Sequence, residues 1–211
     1  MDQERLAREC NDLPIFPLGG AVLLPGAVLP LHVFEERYRR LLEDVVAGTG
    51  LMGIATVTEP SADGSVDPIH PVVGVGMVVA HQRLDDGRSH ILLQHVGTMR
   101  VVKELKVDVP YRRVRGELVT PEPLRVASEI AGLRVMVLQL GAANPGAAQE
   151  AARVAELKGT EFLDGLAHRV LPAVEQRLAY LGAGSWGARV AVLQDAVVGY
   201  MAAVLPAADD A

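Results

Sequence analysis

The segment from Leu13 to Phe34 constrains this chain most, because it runs without a single Asp, Glu, Lys or Arg. So apolar a stretch is long enough to cross a bilayer as a helix. However, Pro14, Pro17, Pro25 and Pro30, with Gly19, Gly20 and Gly26, would break that helix several times over. The preceding MDQERLAREC mixes acids and bases where a signal peptide would be basic. The segment therefore reads as short strands and turns of a soluble, unexported protein.

Composition points the same way. A chain of 211 residues makes one large domain or two small ones, and half of its residues are hydrophobic, enough for a substantial core. Acids outnumber bases 26 to 20, and only Lys103, Lys106 and Lys158 are lysines, so a broad polyanion-binding surface is not expected. Cys10 is the only cysteine, which excludes an internal disulfide, a Cys-x-x-Cys redox centre and a zinc site of paired thiolates. A reducing, cytoplasmic setting fits.

Periodicity sets out the elements. Residues 1–12 read as an N-terminal tail. Ile15 to Leu18 and Val28 to Leu31 read as strands, and proline in both implies edge positions. Phe34, Tyr38, Leu41 and Val45 then step by 4, 3 and 4, the apolar stripe of a helix, with Glu35–Arg39 and Glu36–Arg40 as expected ion pairs and Gly48 as its end. Leu51 to Val57 is a strand, and Glu59 to Pro68 is a surface loop. Val72 to Gln82 and Ser89 to Val96 form a hairpin about Asp86-Gly87, which sets His90 opposite Arg83. Arg100 to Leu105 and Tyr111 to Val119 add two more strands. From Thr120, read as an N-cap with Pro121 as the first helical residue, the period turns helical through Val126, Ile130, Leu133, Val137 and Leu140. Gly141 to Ala148 reads as a connector, and Glu161 to Val170, Pro172 to Leu181 and Trp186 to Leu205 as three further helices. Strands first and helices afterwards predict an α+β protein, a small barrel followed by a helical bundle.

Motifs of catalysis are not found. Gly74-Val75-Gly76 lacks the third glycine and the following helix of a dinucleotide loop, and reads as a bend or bulge in a strand. Ser185 resembles a nucleophile elbow only superficially and is better read as a helix N-cap. The six histidines show no ligand spacing, so no metal site is expected, and no phosphate loop surrounds Lys158. Arg37-Arg39-Arg40 is explained by pairing along a helix. On a strand, Arg113 and Arg115 share one face while Arg112 takes the other, which makes no continuous basic stripe.

Read in order, several motifs resemble the N-terminal substrate-binding domain of Lon proteases. They are Leu13-Pro14-Ile15-Phe16-Pro17-Leu18, Pro25-Gly26, Pro30-Leu31, Phe34-Glu35-x-Arg37-Tyr38, Gly53-Ile54, Val73-Gly74, Asp86-Gly87-Arg88, and Gly97-x-x-Arg100 with Tyr111-Arg112. The chain departs from the family pattern at Gly19-Gly20, where a charged pair is common, and at Val101, where an aromatic is frequent. The resemblance implies a PUA-like β pseudo-barrel with an inserted helix over residues 13–119 and a C-terminal helical subdomain over residues 120–211. It implies capture of unfolded or tagged polypeptides, and support of assembly, in proteins where an ATPase ring and a Ser-Lys peptidase follow. This chain, ending at Ala211, resembles a stand-alone member without either, hence not an enzyme and without a cofactor.

The function expected is thus a non-catalytic polypeptide-binding module, an adaptor in protein quality control whose partners are unfolded chains and a protease or chaperone. Phe16, Pro17, Leu24, Pro25 and Tyr38 are its candidate contact patch, although Phe16, Leu18, Leu31, Phe34 and Tyr38 each read more readily as core. Two alternatives belong to other classes. One is an RNA-binding module of the PUA-like type, which steep salt dependence would reveal. The other is a scaffold that homo-oligomerises through its C-terminal helices, with Trp186 and Tyr200 as anchors.

Overall fold

The computed structural model describes residues 2–59, 66–122 and 127–204, with only the backbone of Val204. The chain separates into two compact units, Met1–Val119 and Thr120–Ala211.

The first unit opens with a helix where a tail was expected. In α1 (Gln3–Glu9), the Asp2 carboxylate caps the N-terminus by accepting from the Arg5 N–H at 2.7 Å. Leu6 and Cys10, one turn apart, fall on one side and are buried with Leu13, Ile15, Leu51, Val73 and Met99. Seven residues with a single large apolar side chain give too weak a pattern to read as a helix; docking of Leu6 and Cys10 stabilises it. Burial pushes the Cys10 thiol up to about 11. A raised thiol stabilises the fold below its ordinary range, and that contribution is lost as pH rises toward 11. The native protein is therefore expected to resist thiol reagents at pH 8 and to react stoichiometrically once denatured; equal native and denatured rates would contradict this placement of α1.

Six strands follow: β1 (Leu13–Gly19), β2 (Val28–Val33), β3 (Leu51–Val57), β4 (Val72–Arg83), β5 (Ser89–Leu105) and β6 (Arg113–Leu118). Their order is β2-β5-β4-β3-β1-β6, and β5 also pairs with β6, so five strands close into a barrel and β2 is left on the outside. β5 carries this closure because it is one continuous strand, not the two the sequence suggested. Its first half pairs with β2 and β4, and its second half with β4 and β6. β1 and β3 pair in parallel, which requires a crossover; it holds β2 and α2 (Glu36–Ala47).

Proline marks an edge only in β2. β1 lies between β3 and β6. It tolerates Pro17 because the Ile15 N–H donates to Arg112 on the β6 side, and β6 stops short of Pro17, two residues on. Gly74 and Gly76 are required by close approach: a Cβ there would lie 2.4 Å from the Leu23 carbonyl oxygen and 2.4 Å from Leu93 Cγ, beside a bulge at Val75/Gly76.

α2 begins at Glu36, not Phe34. Glu35 is its extended N-cap, outside the helix, so it pairs with Arg37 at 2.9 Å, and Arg40 pairs with Asp44 at 3.1 Å. The Glu35–Arg39 and Glu36–Arg40 pairs are replaced accordingly. Tyr38, Leu41, Leu42 and Val45 are buried against Phe16, Leu23, Met52, Ile54 and Leu93. The helix ends at Gly48 as expected, but Gly50 supplies the left-handed residue, its N–H donating to the Val45 carbonyl at 2.9 Å.

The second unit is helical: α3 (Ala127–Ala143), α4 (Ala148–Glu156), α5 (Gly159–Val170), α6 (Val174–Gly182) and α7 (Trp186–Val204). Thr120 and Pro121 do not start α3; Glu122 precedes Pro123, which disfavours helical backbone. Val126, Leu205 and most of the predicted loop after Glu59 lie outside the described residues. α3 takes in the first three residues of the predicted connector, and α4 starts at its last residue, Ala148, and occupies a stretch before Glu161 not assigned from the sequence, because Ala148–Glu156 is rich in strong helix formers around a buried Val154. Ser185 caps α7 as expected, accepting from the Ala188 N–H at 3.2 Å.

Candidate functional site

The five sequence-predicted contact residues do not form an exposed patch. Phe16, Leu24, Pro25 and Tyr38 are buried, with the Phe16 and Tyr38 rings stacked at 4.1 Å. Pro17 is half-buried, and with Tyr38 it borders a cleft of about 470 Å³ whose rim is charged by Arg37, Asp67 and Arg112. In the neutral run Leu13 to Phe34 core and contact residues look alike; Phe16 is inside because it packs with Tyr38, Leu41 and Leu42 of α2.

The apolar surface lies instead on the outer side of β2, β5 and β4. The His95 N–H donates to the Ala27 carbonyl, so Leu29, Leu31 and Val33 turn their backbone groups to β5, while those of Val28, Pro30 and His32 face the open edge. Side chains alternate with the same period: Leu29, Leu31 and Val33 pack inward with Ile91 and Leu93, and Val28, Pro30 and His32 point outward. Opposite them stand Gln94, Leu92 and His90, and on β4 Ala80 follows Leu92 and Gln82 follows His90. Phe34 extends the surface past the end of β2 and is 59% exposed; Val28 is 49% and Leu92 40% exposed. Val79, in the bulge between Val78 and Ala80, is also exposed. None of these side chains is charged.

The register differs from the expected one by a residue. The hairpin loop is Asp85-Asp86-Gly87, three residues with Gly87 at φ +82°, and not two. His90 therefore faces Gln82 and His32, while Arg83 pairs with Ser89 on the other side of the sheet.

Pro30 shapes what the open edge can do. It lacks an N–H at the middle outward-facing position of β2, so the edge cannot offer a full ladder to an added strand. Contact with an extended chain has to come mainly through the side chains of the outer face.

Other groupings are structural. His81 Nε2 lies 3.0 Å from Ser89 Oγ, but Ser89 is buried and presents no accessible nucleophile. Arg112 pairs with Glu104 at 2.7 Å and Arg113 with Asp12 at 2.6 Å, on opposite sides of the chain as the alternation predicts. In the helical unit Trp186 is half-buried over the Arg189 guanidinium, whereas Tyr200 is exposed.

A five-stranded barrel with a packed helix, followed by a helical unit, puts the chain in the class of barrel-and-helix domains. The comparisons are consistent with that class: the chain belongs to the family of the ATP-dependent protease La (LON) substrate-binding domain, whose model it matches over residues 12–167. It is 31% identical to the Lon protease of Dictyoglomus thermophilum over 142 residues, 65% of this chain and 18% of that protein. It is 30% identical to the Lon protease of Flavobacterium johnsoniae over 117 residues, 55% of this chain and 13% of that protein. The chain thus spans less than a fifth of the length of these relatives. Among solved structures, the N-terminal domain of Mycobacterium avium complex Lon protease superposes with a TM-score of 0.68 at 16% identity, covering 89% of this chain and 98% of that domain. A Lon N-terminal domain protein from Xanthomonas campestris gives 0.60 at 21% identity, covering 92% and 99%. Among the described residues no helix is long and apolar enough to cross a membrane.

Proposed function

We propose that this chain is a non-catalytic module that captures unfolded or extended polypeptide on the outer face of β2, β5 and β4, and that it acts in cytoplasmic protein quality control as an adaptor to a protease or chaperone. The observation that carries the reading is the uncharged surface formed by Val28, Pro30, Phe34 and Leu92 on an otherwise charged, acidic chain. Membership of a substrate-binding family supports it. Capture here is apolar and side-chain mediated, because Pro30 blunts the open edge.

The distribution of arginines disfavours the RNA-binding alternative. Arg37, Arg40, Arg83, Arg88, Arg112 and Arg113 each face a carboxylate within 4.0 Å, so the two basic clusters are largely neutralised within the fold. Fluorescence anisotropy of a labelled unfolded protein, its folded form and a short RNA, each at low and high salt, tests the choice. The expected result is binding of the unfolded chain alone, changing little with salt. Salt-sensitive RNA binding would instead establish the alternative.

A further inference from the structure

At the centre of the outer face sit two histidines whose presence the capture of apolar polypeptide does not by itself explain. His32 and His90 oppose each other in a pair whose backbone groups do not bond one another, the closer of the two antiparallel pair types. Their ring centroids are 4.8 Å apart, and the His32 ring lies 5.6 Å from that of the exposed Phe34. Both rings are solvent-accessible and flanked by Pro30 and Leu92 one row away.

The charged groups around them are already engaged. On β4 the residue in their row is the uncharged Gln82, while Arg83 lies on the opposite side of the sheet, paired with Glu43 of α2. His81 is likewise on that opposite side, bonded to Ser89. In the hairpin loop, Asp86 is bound by Arg88, through both its backbone N–H and its side chain, and its exposed carboxylate also interacts with His32. Arg39 of α2 approaches the same loop at Gly87.

We propose that the His32–His90 pair is a proton-operated gate on the capture face, closed to apolar polypeptide when the rings are charged. The inference rests on the capture reading above. Imidazoles as a class change charge between about pH 5 and 8. A segment laid over Pro30, Leu92 and Phe34 also covers the two rings; the Asp86 carboxylate near His32 is exposed and shared with Arg88, and no ion pair among the described residues involves His90, so covering the charged pair is costly. Two imidazolium charges at this separation also repel each other, which the segment would hold out of water. Protonation and occupancy therefore oppose each other, and by linkage a bound segment resists protonation of the pair to the same extent.

The test uses a blocked, labelled peptide of Leu, Phe, Thr and Gln, which has no titratable group of its own. Between about pH 8 and about pH 5.5 its affinity for the native protein is expected to fall about tenfold, and for H32Q/H90Q by less than about twofold. Both replaced side chains are exposed, so an unchanged melting temperature is the control for folding. An equal fall in the double variant, or no fall in the native protein, would overturn the gate. Normal binding at about pH 8 with no such fall in affinity would overturn the gate alone, whereas no binding by either protein at about pH 8 would overturn the capture reading and the gate built on it.

Discussion

Replacing Asp164 by alanine is expected to destabilise the helical unit by about 3–5 kcal/mol. Arg189 is buried in this unit, with only 4% of its side chain exposed, and Asp164 at 3.6 Å is its counter-charge. The guanidinium packs over the rings of Tyr180 at 5.0 Å and Trp186 at 4.8 Å, and its Nε has no hydrogen-bond partner. Tyr180 donates to Asp164 at 2.7 Å. Desolvation raises the Asp164 carboxyl, with Tyr180 and Arg189 partly offsetting it, so the pair is already expensive to keep charged. Removing the acid leaves an unpaired buried cation, the costly half of the arrangement. D164A/R189M, which removes both charges and keeps the volume of the arginine, is expected to recover most of the loss. Urea unfolding followed by the fluorescence of Trp186, the sole tryptophan, reads both variants. A loss under about 1 kcal/mol for D164A, or no recovery in the double variant, would contradict this account of the pair.

The second large effect is expected at Gly74. A Cβ there would stand 2.4 Å from the Leu23 carbonyl oxygen and 2.8 Å from Leu23 Cβ, and neither atom can rotate away because both belong to the rigid frame of the preceding segment. Gly74→Ala should cost about 3 kcal/mol by forcing β4 away from that segment. Gly132→Ala is the matched control: nothing lies within 4 Å, and in the middle of α3 alanine should stabilise by about 0.5–1 kcal/mol. Similar values for the two variants would contradict the tight approach of Leu23 to β4.

These residues also mark how far the sequence could be read. Glycines flanking Val75 in a β-branched run announce a bend, and the structure supplies the reason in Leu23 and Leu93. The stripe Tyr38, Leu41 and Val45 announces α2 because 3.6-residue spacing is a local property. Barrel closure is not local. That β5 runs unbroken through Gly97 to reach β6 depends on partners tens of residues away, so the chain reads as two strands there. α1 was missed because its two anchors, Leu6 and Cys10, carry little periodic signal without the core that receives them.

The candidate site was legible in region and not in residue. The apolar, proline-marked run did contain the outward-facing strand, yet in Val28-Leu29-Pro30-Leu31-His32-Val33 both faces are nearly free of charge, so polarity cannot say which side is outside. The register with β5 and the packing of the inward set decide it, putting Val28, Pro30 and His32 out and Leu29, Leu31 and Val33 in. The cross-strand histidines were hidden because His32 meets His90 through the non-local pairing of β2 with β5, while a three-residue loop where two residues were expected moves His90 from Arg83 to Gln82.

The most direct test of the capture reading compares the native protein with F34D/L92D in anisotropy titrations against a labelled unfolded protein at high salt. Phe34 and Leu92 are exposed, so the substitutions place charge on the outer face without entering the core. The account predicts at least a tenfold loss of affinity, about 1.4 kcal/mol, with the melting temperature unchanged. Equal binding by the two proteins, at equal stability, would contradict it and move the site off this face.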